Sequence, residues 1–194
     1  MSYFLVGLDL GQANDYTALV VLEKDGATYS GRHIERLRKV PYPEIVRIVK
    51  ECVRSPQLRG HCALIVDQTG VGRPVVDMLR LARLAPIPVS ITGGDAVSGN
   101  AREGFRVPKR DLAGVLQVLV QASRLHFAQA LPDLAVLQKE LLNFKVKIDP
   151  QTAHDSYSAW REGDHDDLVL AVALACWYGE CGRGPWGVLA QGVA

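Results

Sequence analysis

The chain opens on a nearly unbroken apolar run over residues 3–10. A run of that kind predicts a strand buried on both faces of a sheet. Residues 17–23 (TALVVLE) predict a second strand and residues 27–36 a third, with Lys24-Asp25-Gly26 as the hairpin turn between them. Over residues 42–53, Ile45, Ile48, Val49 and Cys52 recur at helical spacing. Residues 63–67 form a short apolar strand. Pro74 then suits a first helical turn, and the helix continues over 75–84. Residues 87–91 predict another strand, and 92–106, rich in Gly and polar groups, a loop or ragged hairpin. Amphipathic helices follow over 109–123 and 134–143, with an edge strand expected at 144–148. Residues 166–178 are apolar all round, which predicts a helix in the interior. Three strands in a meander, then alternating helices and strands, indicate an α/β fold: a mixed β-sheet flanked by helices on both faces. Residues 1–180 read as one domain and the Gly-rich residues 181–194 as a loose tail.

Composition narrows the class. The chain has 194 residues, 48% of them hydrophobic, and 22 Lys+Arg against 21 Asp+Glu. Disorder is excluded by that balance. The four Cys, at 52, 62, 176 and 181, form no CxxC pair, so they read as reduced thiols of a cytoplasmic protein and not as a disulfide scaffold or zinc site. No signal peptide or membrane span is expected, because the longest apolar run, 168–178, is far shorter than the roughly 20 residues a span needs. The charge is nonetheless segregated. Residues 32–59 hold eight Lys or Arg against three Glu, whereas 149–180 hold seven acids against one Arg. A basic region and an acidic pole suit a polyanion and divalent cations, although two solvated faces of opposite sign would look the same.

The acids are the informative residues. Asp9 ends the run Phe4-Leu5-Val6-Gly7-Leu8, and Asp67 ends Ala63-Leu64-Ile65-Val66. Both fall at C-terminal strand ends, where open α/β sheets place their ligand sites. A carboxylate there loses hydration and must be paired, protonated or bound to a metal. Either one alone could cap a turn. The third element, Gly163-Asp164-His165-Asp166-Asp167, stands before the most apolar helix. A helix start explains one Asp, as a cap for orphan N–H groups. It does not explain three acids and a His together, whose repulsion a cation would relieve. Phosphodiester hydrolysis with two divalent ions uses such an arrangement. Oxygen-only ligands select Mg²⁺ or Mn²⁺ over Zn²⁺. On this reading Asp9 bridges two ions, Asp67 and Asp166 each hold one side, Asp167 supports, and His165 donates from a second layer.

Three segments, GLDLGQANDYTALVVL, IVDQTGVGRPVVDML and GDHDDLVLAVALACW, occur in that order. Together they resemble the nuclease domain of the large terminase subunit of tailed bacteriophages, within the ribonuclease H-like superfamily. VPKRDLAGVLQVL followed by Leu125-His126-Phe127 fits the same pattern. The resemblance covers residues 3–179. It implies a Mg²⁺- or Mn²⁺-dependent DNA endonuclease that cuts concatemeric viral DNA during packaging. It places the family's acids on Asp9, Asp67 and the Asp166-Asp167 pair, with the direct ligand of that pair left open. Full large subunits also carry an ATPase motor, and this chain has no G-x-x-x-x-G-K-[ST]. An excised domain or a free-standing nuclease is therefore expected, with a separate packaging ATPase, portal or small subunit as its companions.

Double-stranded DNA would be held by Arg102, Arg106, Lys109 and Arg110, with Arg32, Arg36, Arg38 and Lys39 as a second basic cluster. Rival readings are a Holliday-junction-resolvase-like nuclease, a non-catalytic DNA-binding or assembly module, and an actin- or Hsp70-like nucleotide-binding protein. The last suits a chain much longer than 194 residues.

Overall fold

The structure, a computed structural model, describes residues 2–11, 15–70, 72–146 and 166–181. Three antiparallel strands come first: β1 (Tyr3–Asp9), β2 (Tyr16–Asp25) and β3 (Thr28–Arg38). Asp25 pairs with Thr28, so the hairpin turn holds two residues, and Gly26 takes a left-handed φ of 55° there. Then follow α1 (Tyr42–Val53), β4 (Cys62–Asp67), α2 (Gly72–Leu81), β5 (Pro86–Thr92), β6 (Ser98–Asn100), β7 (Gly104–Pro108) and α3 (Lys109–Gln121). The chain continues through β8 (Leu125–Phe127), α4 (Leu134–Val146) and α5 (Asp167–Glu180). One mixed eight-stranded sheet results, in the order β6-β7-β5-β4-β1-β2-β3-β8. β1, β4, β5 and β7 run parallel, so their C-terminal ends lie along one side.

Each face of the sheet has its own core. Val6, Leu8, Leu19, Val21, Leu64 and Val66 pack under α1 and α2 with Ile45, Val49, Val75 and Leu79. Leu5, Ala18, Val20, Ile34, Ala63 and Ile65 face the other way, onto α3, α4 and α5. The period of two along each strand produces this division. α5 is buried along almost its whole length, packed against β1, β2 and β4 and against α3 and α4. That environment explains why it is apolar on every side.

Two expectations need amendment. Residues 144–146 are not an edge strand but the last turn of α4, and 147–148 lie outside the described residues. Phe144 lies on the same helical stripe as Leu137, and both are buried in the α5-side core, so the helix buries what a strand at the edge would expose. Leu125–Phe127, in turn, forms a strand, paired in parallel with β3 at Tyr29, Ser30 and Gly31. Three residues are too few to show a period. The tail at 182–194 lies outside the described residues. Among the described residues no helix is long and apolar enough to cross a membrane.

Gly7 fixes how closely α5 approaches the sheet. A Cβ at this position would stand 2.0 Å from the carbonyl oxygen of Ala171 and 2.9 Å from its carbon. Those atoms belong to helix backbone and have no rotamer to yield. Gly7→Ala is therefore expected to lower unfolding stability by about 3 kcal/mol, read from denaturant midpoints. Wild-type stability in this variant would mean that α5 does not lie against β1.

Candidate metal centre

Strand periodicity brings the acids together. Leu5 and Gly7 of β1 face α5, so Asp9, two residues on, faces the same side. Ala63 and Ile65 of β4 do likewise, and Asp67 follows them. Leu8 pairs with Val66 in parallel register, which sets Asp9 and Asp67 side by side at adjacent strand ends, about 4.8 Å apart. The row extends across the sheet: Val89 pairs with Asp67, Asp9 with Ala18, and Ala18 with Arg36. Ala18, fully buried and small, leaves room above the sheet for the first turn of α5. That turn carries Asp166 and Asp167.

Asp9, Asp67 and Asp167 are all buried. Burial pushes the Asp9 carboxyl well above the usual carboxylate range, and the negative charges of Asp67, Asp167 and Asp166 push it further. A hydrogen bond between the Asp9 and Asp67 side chains acts in the same direction. Two carboxyls can share such a bond only if one keeps a proton. Asp67 also serves its own turn, since its Oδ1 accepts the Thr69 N–H at 2.7 Å. The turn-cap explanation is thus true of Asp67 without being sufficient. Among the described residues no three His, Cys, Asp or Glu side chains yet form a group that could hold a metal ion as they stand. The acids lie within electrostatic reach of one another.

The start of α5 has an unexpected cap. Asp166 is the N-cap residue, yet its side chain makes no capping hydrogen bond. Glu140 of α4 does that work, because its Oε2 accepts the N–H of Val169 at 3.0 Å. The two aspartates are thereby relieved of the role that would otherwise explain them. Glu140 is 5% exposed, and burial holds its carboxyl up at about 7 despite the Val169 hydrogen bond and nearby Arg36. Arg36 Nη2 donates to Asp167 Oδ2 at 3.1 Å and stands 3.9 Å from Glu140 Oε1. Its guanidinium lies 3.8 Å from the centroid of the Tyr16 ring.

The expected DNA-binding residues separate. Lys109 opens α3 directly after β7, whose last residue Pro108 pairs with Thr92 at the end of β5. It therefore shares the side of the sheet where the acids lie. Arg110 adjoins it and is tied to Asp95 at 2.7 Å. Arg106 is exposed in mid-strand, on the face opposite Phe105 and Val107. Arg102 is not near the acids. It lines a cleft with Tyr3, Cys62 and Pro86, the first residues of β1, β4 and β5, at the opposite end of the sheet. Arg38 and Lys39, by contrast, follow Arg36 at the acid-bearing end. His165 and Asp164 lie outside the described residues.

Glu140 was legible as a carboxylate on the buried stripe between Leu137 and Phe144. Arg36 was legible as a cation two residues beyond Ile34 on the inward face of β3. Glu140 carries no expectation from the sequence, and Arg36 is expected there only as one of a basic DNA-binding cluster, because each sits within an otherwise ordinary element.

No protein-family model matches the chain, and no curated protein does. Solved structures do match. The large terminase nuclease of the thermophilic phage G20c with bound magnesium aligns with a TM-score of 0.60 at 21% identity, over 90% of this chain and 80% of that one. The fold is that of a terminase nuclease domain. The nuclease domain of the Thermus phage P74-26 large terminase aligns at 0.58 and 19% identity, over 92% of this chain and 80% of that one. The human cytomegalovirus terminase nuclease domain, soaked with manganese, aligns at 0.50 and 10%, over 91% and 84%. The G20c terminase nuclease is also known with zinc and with cobalt bound.

The buried acids give a testable pH dependence. Folded Asp9 and Glu140 hold protons that the unfolded chain releases near pH 4, the ordinary carboxylate range being about 4. The stabilising contribution of Glu140 is therefore complete below about pH 4 and is lost as pH rises through about 7, and that of Asp9 is likewise lost as pH rises above the ordinary carboxylate range. Thermal unfolding in EDTA should show a melting temperature that falls between about pH 5 and pH 8. Asp9→Asn should flatten this slope and melt above the parent at the alkaline end. Superimposable curves for the two proteins would show that Asp9 is not held up by its neighbours.

Proposed function

We propose that the chain is a divalent-metal-dependent endonuclease of the terminase large-subunit type, cutting concatemeric viral DNA during genome packaging alongside a separate packaging ATPase. The observation that carries this reading is the convergence of Asp9, Asp67, Asp166 and Asp167 at one end of the sheet. The donor set is all oxygen and strongly anionic, which suits Mg²⁺ or Mn²⁺. Divalent ions in the G20c and cytomegalovirus nuclease structures support the same choice. Two ions about 3.5–4 Å apart would supply charge stabilisation for the attacking and leaving oxygens of a phosphodiester.

The chain's own residues have distinct parts in this reading. Asp9 lies beside Asp67 in the sheet and within electrostatic reach of Asp166 and Asp167, so it would hold a cation together with either set of acids. Asp67 holds one side from the end of β4. Asp166 and Asp167 hold the other from the first turn of α5, and Glu140 keeps that turn in place. Buried apolar side chains beneath the row exclude water from the back of the acids.

DNA would lie across the acid end of the sheet. Lys109 and Arg110 stand beyond β7 on one side, and Arg38 and Lys39 end β3 on the other. Five strand spacings separate β7 from β3, about 24 Å, a span comparable with the width of a duplex. The phosphates of one duplex could then reach basic groups on both flanks while one strand passes the acids.

Supercoiled plasmid, linear duplex and a four-way junction, each incubated with Mn²⁺, test the reading. Nicking of plasmid and duplex is expected, with loss of activity in EDTA and a fall of more than about a hundredfold in Asp9→Ala and Asp67→Asn. Cleavage confined to the junction would move the assignment to a resolvase. Gel shift without cutting would leave only a binding module. Arg38→Ala and Lys109→Ala should each reduce the slope of log affinity against log salt by about 0.9, while metal binding persists.

A further inference from the structure

The acid-bearing end of the sheet holds a cation that is itself largely buried. Arg36 reaches it from β3, two strands from Asp9, in the same cross-strand row. Its side chain is only 11% exposed and is held on three sides. The Tyr16 ring lies 3.8 Å from its guanidinium, Glu140 Oε1 stands 3.9 Å from Nη2, and Asp167 Oδ2 accepts from that same nitrogen at 3.1 Å. Arg38 approaches the same Tyr16 ring at 5.3 Å, so the ring is a fixed platform for both side chains. Arg36 Nε and Glu140 Oε1 are buried, and neither has a hydrogen-bond partner among the described residues. Both chains of contact end on α5: Glu140 grips its backbone at Val169, and Arg36 grips the Asp167 carboxylate.

Two explanations compete. In the first, Arg36 is a counter-ion that offsets surplus negative charge. In the second, it directs one carboxylate. A counter-ion needs proximity only, and a lysine tip in solvent would serve. The arrangement here fixes the guanidinium plane on an aromatic ring and spends one nitrogen on a single oxygen of Asp167. The other oxygen of that carboxylate keeps its orientation as a consequence.

We infer that Arg36, held by Tyr16 and Glu140, is a positioning residue that presents the Asp167 carboxylate to the divalent cation of the proposed nuclease. This rests on the metal-nuclease reading. Outer partners of this kind orient ligands, and their loss typically weakens metal affinity by about 10–100-fold. Arg36 itself touches neither DNA nor the reacting phosphate in this scheme; it acts through Asp167.

The two explanations predict opposite signs for one measurement. Mn²⁺ is titrated calorimetrically into the purified full chain without DNA. Absence of Mn²⁺ binding by the parent would remove the metal-nuclease reading, and this inference with it. If the parent binds, Arg36→Gln should raise the Mn²⁺ Kd about tenfold, because Asp167 loses its guide. A counter-ion alone predicts tighter Mn²⁺ binding, since a positive charge has left the neighbourhood of four carboxylates. Tyr16→Leu changes no charge and removes the platform, so it should weaken Mn²⁺ severalfold. It also decides the matter should Arg36→Gln fail to fold. Arg36→Lys should fall between the parent and Arg36→Gln. Circular dichroism melts confirm that each variant is folded at the titration temperature. Unchanged or tighter Mn²⁺ binding in folded Arg36→Gln, or parent-like binding in Tyr16→Leu, overturns the positioning role and leaves the nuclease reading untouched.

Discussion

Repulsion between carboxylates that cannot move apart is the interaction around which this structure is arranged. β1 and β4 end together because their parallel register leaves them no alternative, and each ends in Asp. α5 then delivers two more acids over the same spot. A proton shared between Asp9 and Asp67 relieves part of the repulsion, and Arg36 relieves another part at Asp167. Neither device removes it. The fold therefore carries a standing electrostatic cost at one sheet end, offset by two large apolar cores on either face.

The cost is tolerable only because α5 is held from several directions. Gly7 lets its backbone settle onto β1, and Gly179 does the same at the far end, where a Cβ would meet the Tyr29 hydroxyl at 2.5 Å. That hydroxyl donates to Glu180 at 2.8 Å, which also accepts from Arg124. At the near end Glu140 caps the helix from α4. The helix is thus seated at both ends by neighbouring elements, through its backbone at Val169 and through the Glu180 side chain. An internal cap from Asp166 would hold the first turn equally well, but it would turn that carboxylate toward backbone N–H groups and away from Asp9.

Most of the sheet and the existence of all five helices were readable from period and turn chemistry, with most helix ends displaced by one to three residues. Residues 42–53 obey a helical spacing and form α1 over that span, because one face packs on the core and the other meets solvent. The failures have a common cause. β8 is three residues long and is held by pairing with β3, a contact remote in sequence. The end of α4 alternates Phe144, Lys145 and Val146 like a strand, and tertiary burial of Phe144 decided for helix. Of the acids, Asp9, Asp67 and the Asp166-Asp167 pair stood out because carboxylates at the ends of apolar runs are costly wherever the fold puts them. Arg36 and Glu140 did not, since their meaning comes from facing α5 and from each other. The place of Arg102 was equally hidden: proximity in sequence to Lys109 says nothing about which end of a strand it occupies.

The same geometry sets metal and nucleic acid in mutual dependence. An anionic centre flanked by basic residues repels a phosphate at the one position where cleavage requires it. In the proposed nuclease the flanks at β3 and β7 would hold a duplex only by its outer phosphates, while the scissile phosphate would approach four carboxylates. A divalent cation would reverse the sign of that local field, so cation and DNA would each raise the other's affinity, and linkage would require the two effects to be equal. Arg36 would not substitute for the cation, because one of its nitrogens is spent on Asp167 and its plane lies against Tyr16. In the proposed nuclease DNA engagement would therefore be conditional on the divalent ions that supply the chemistry.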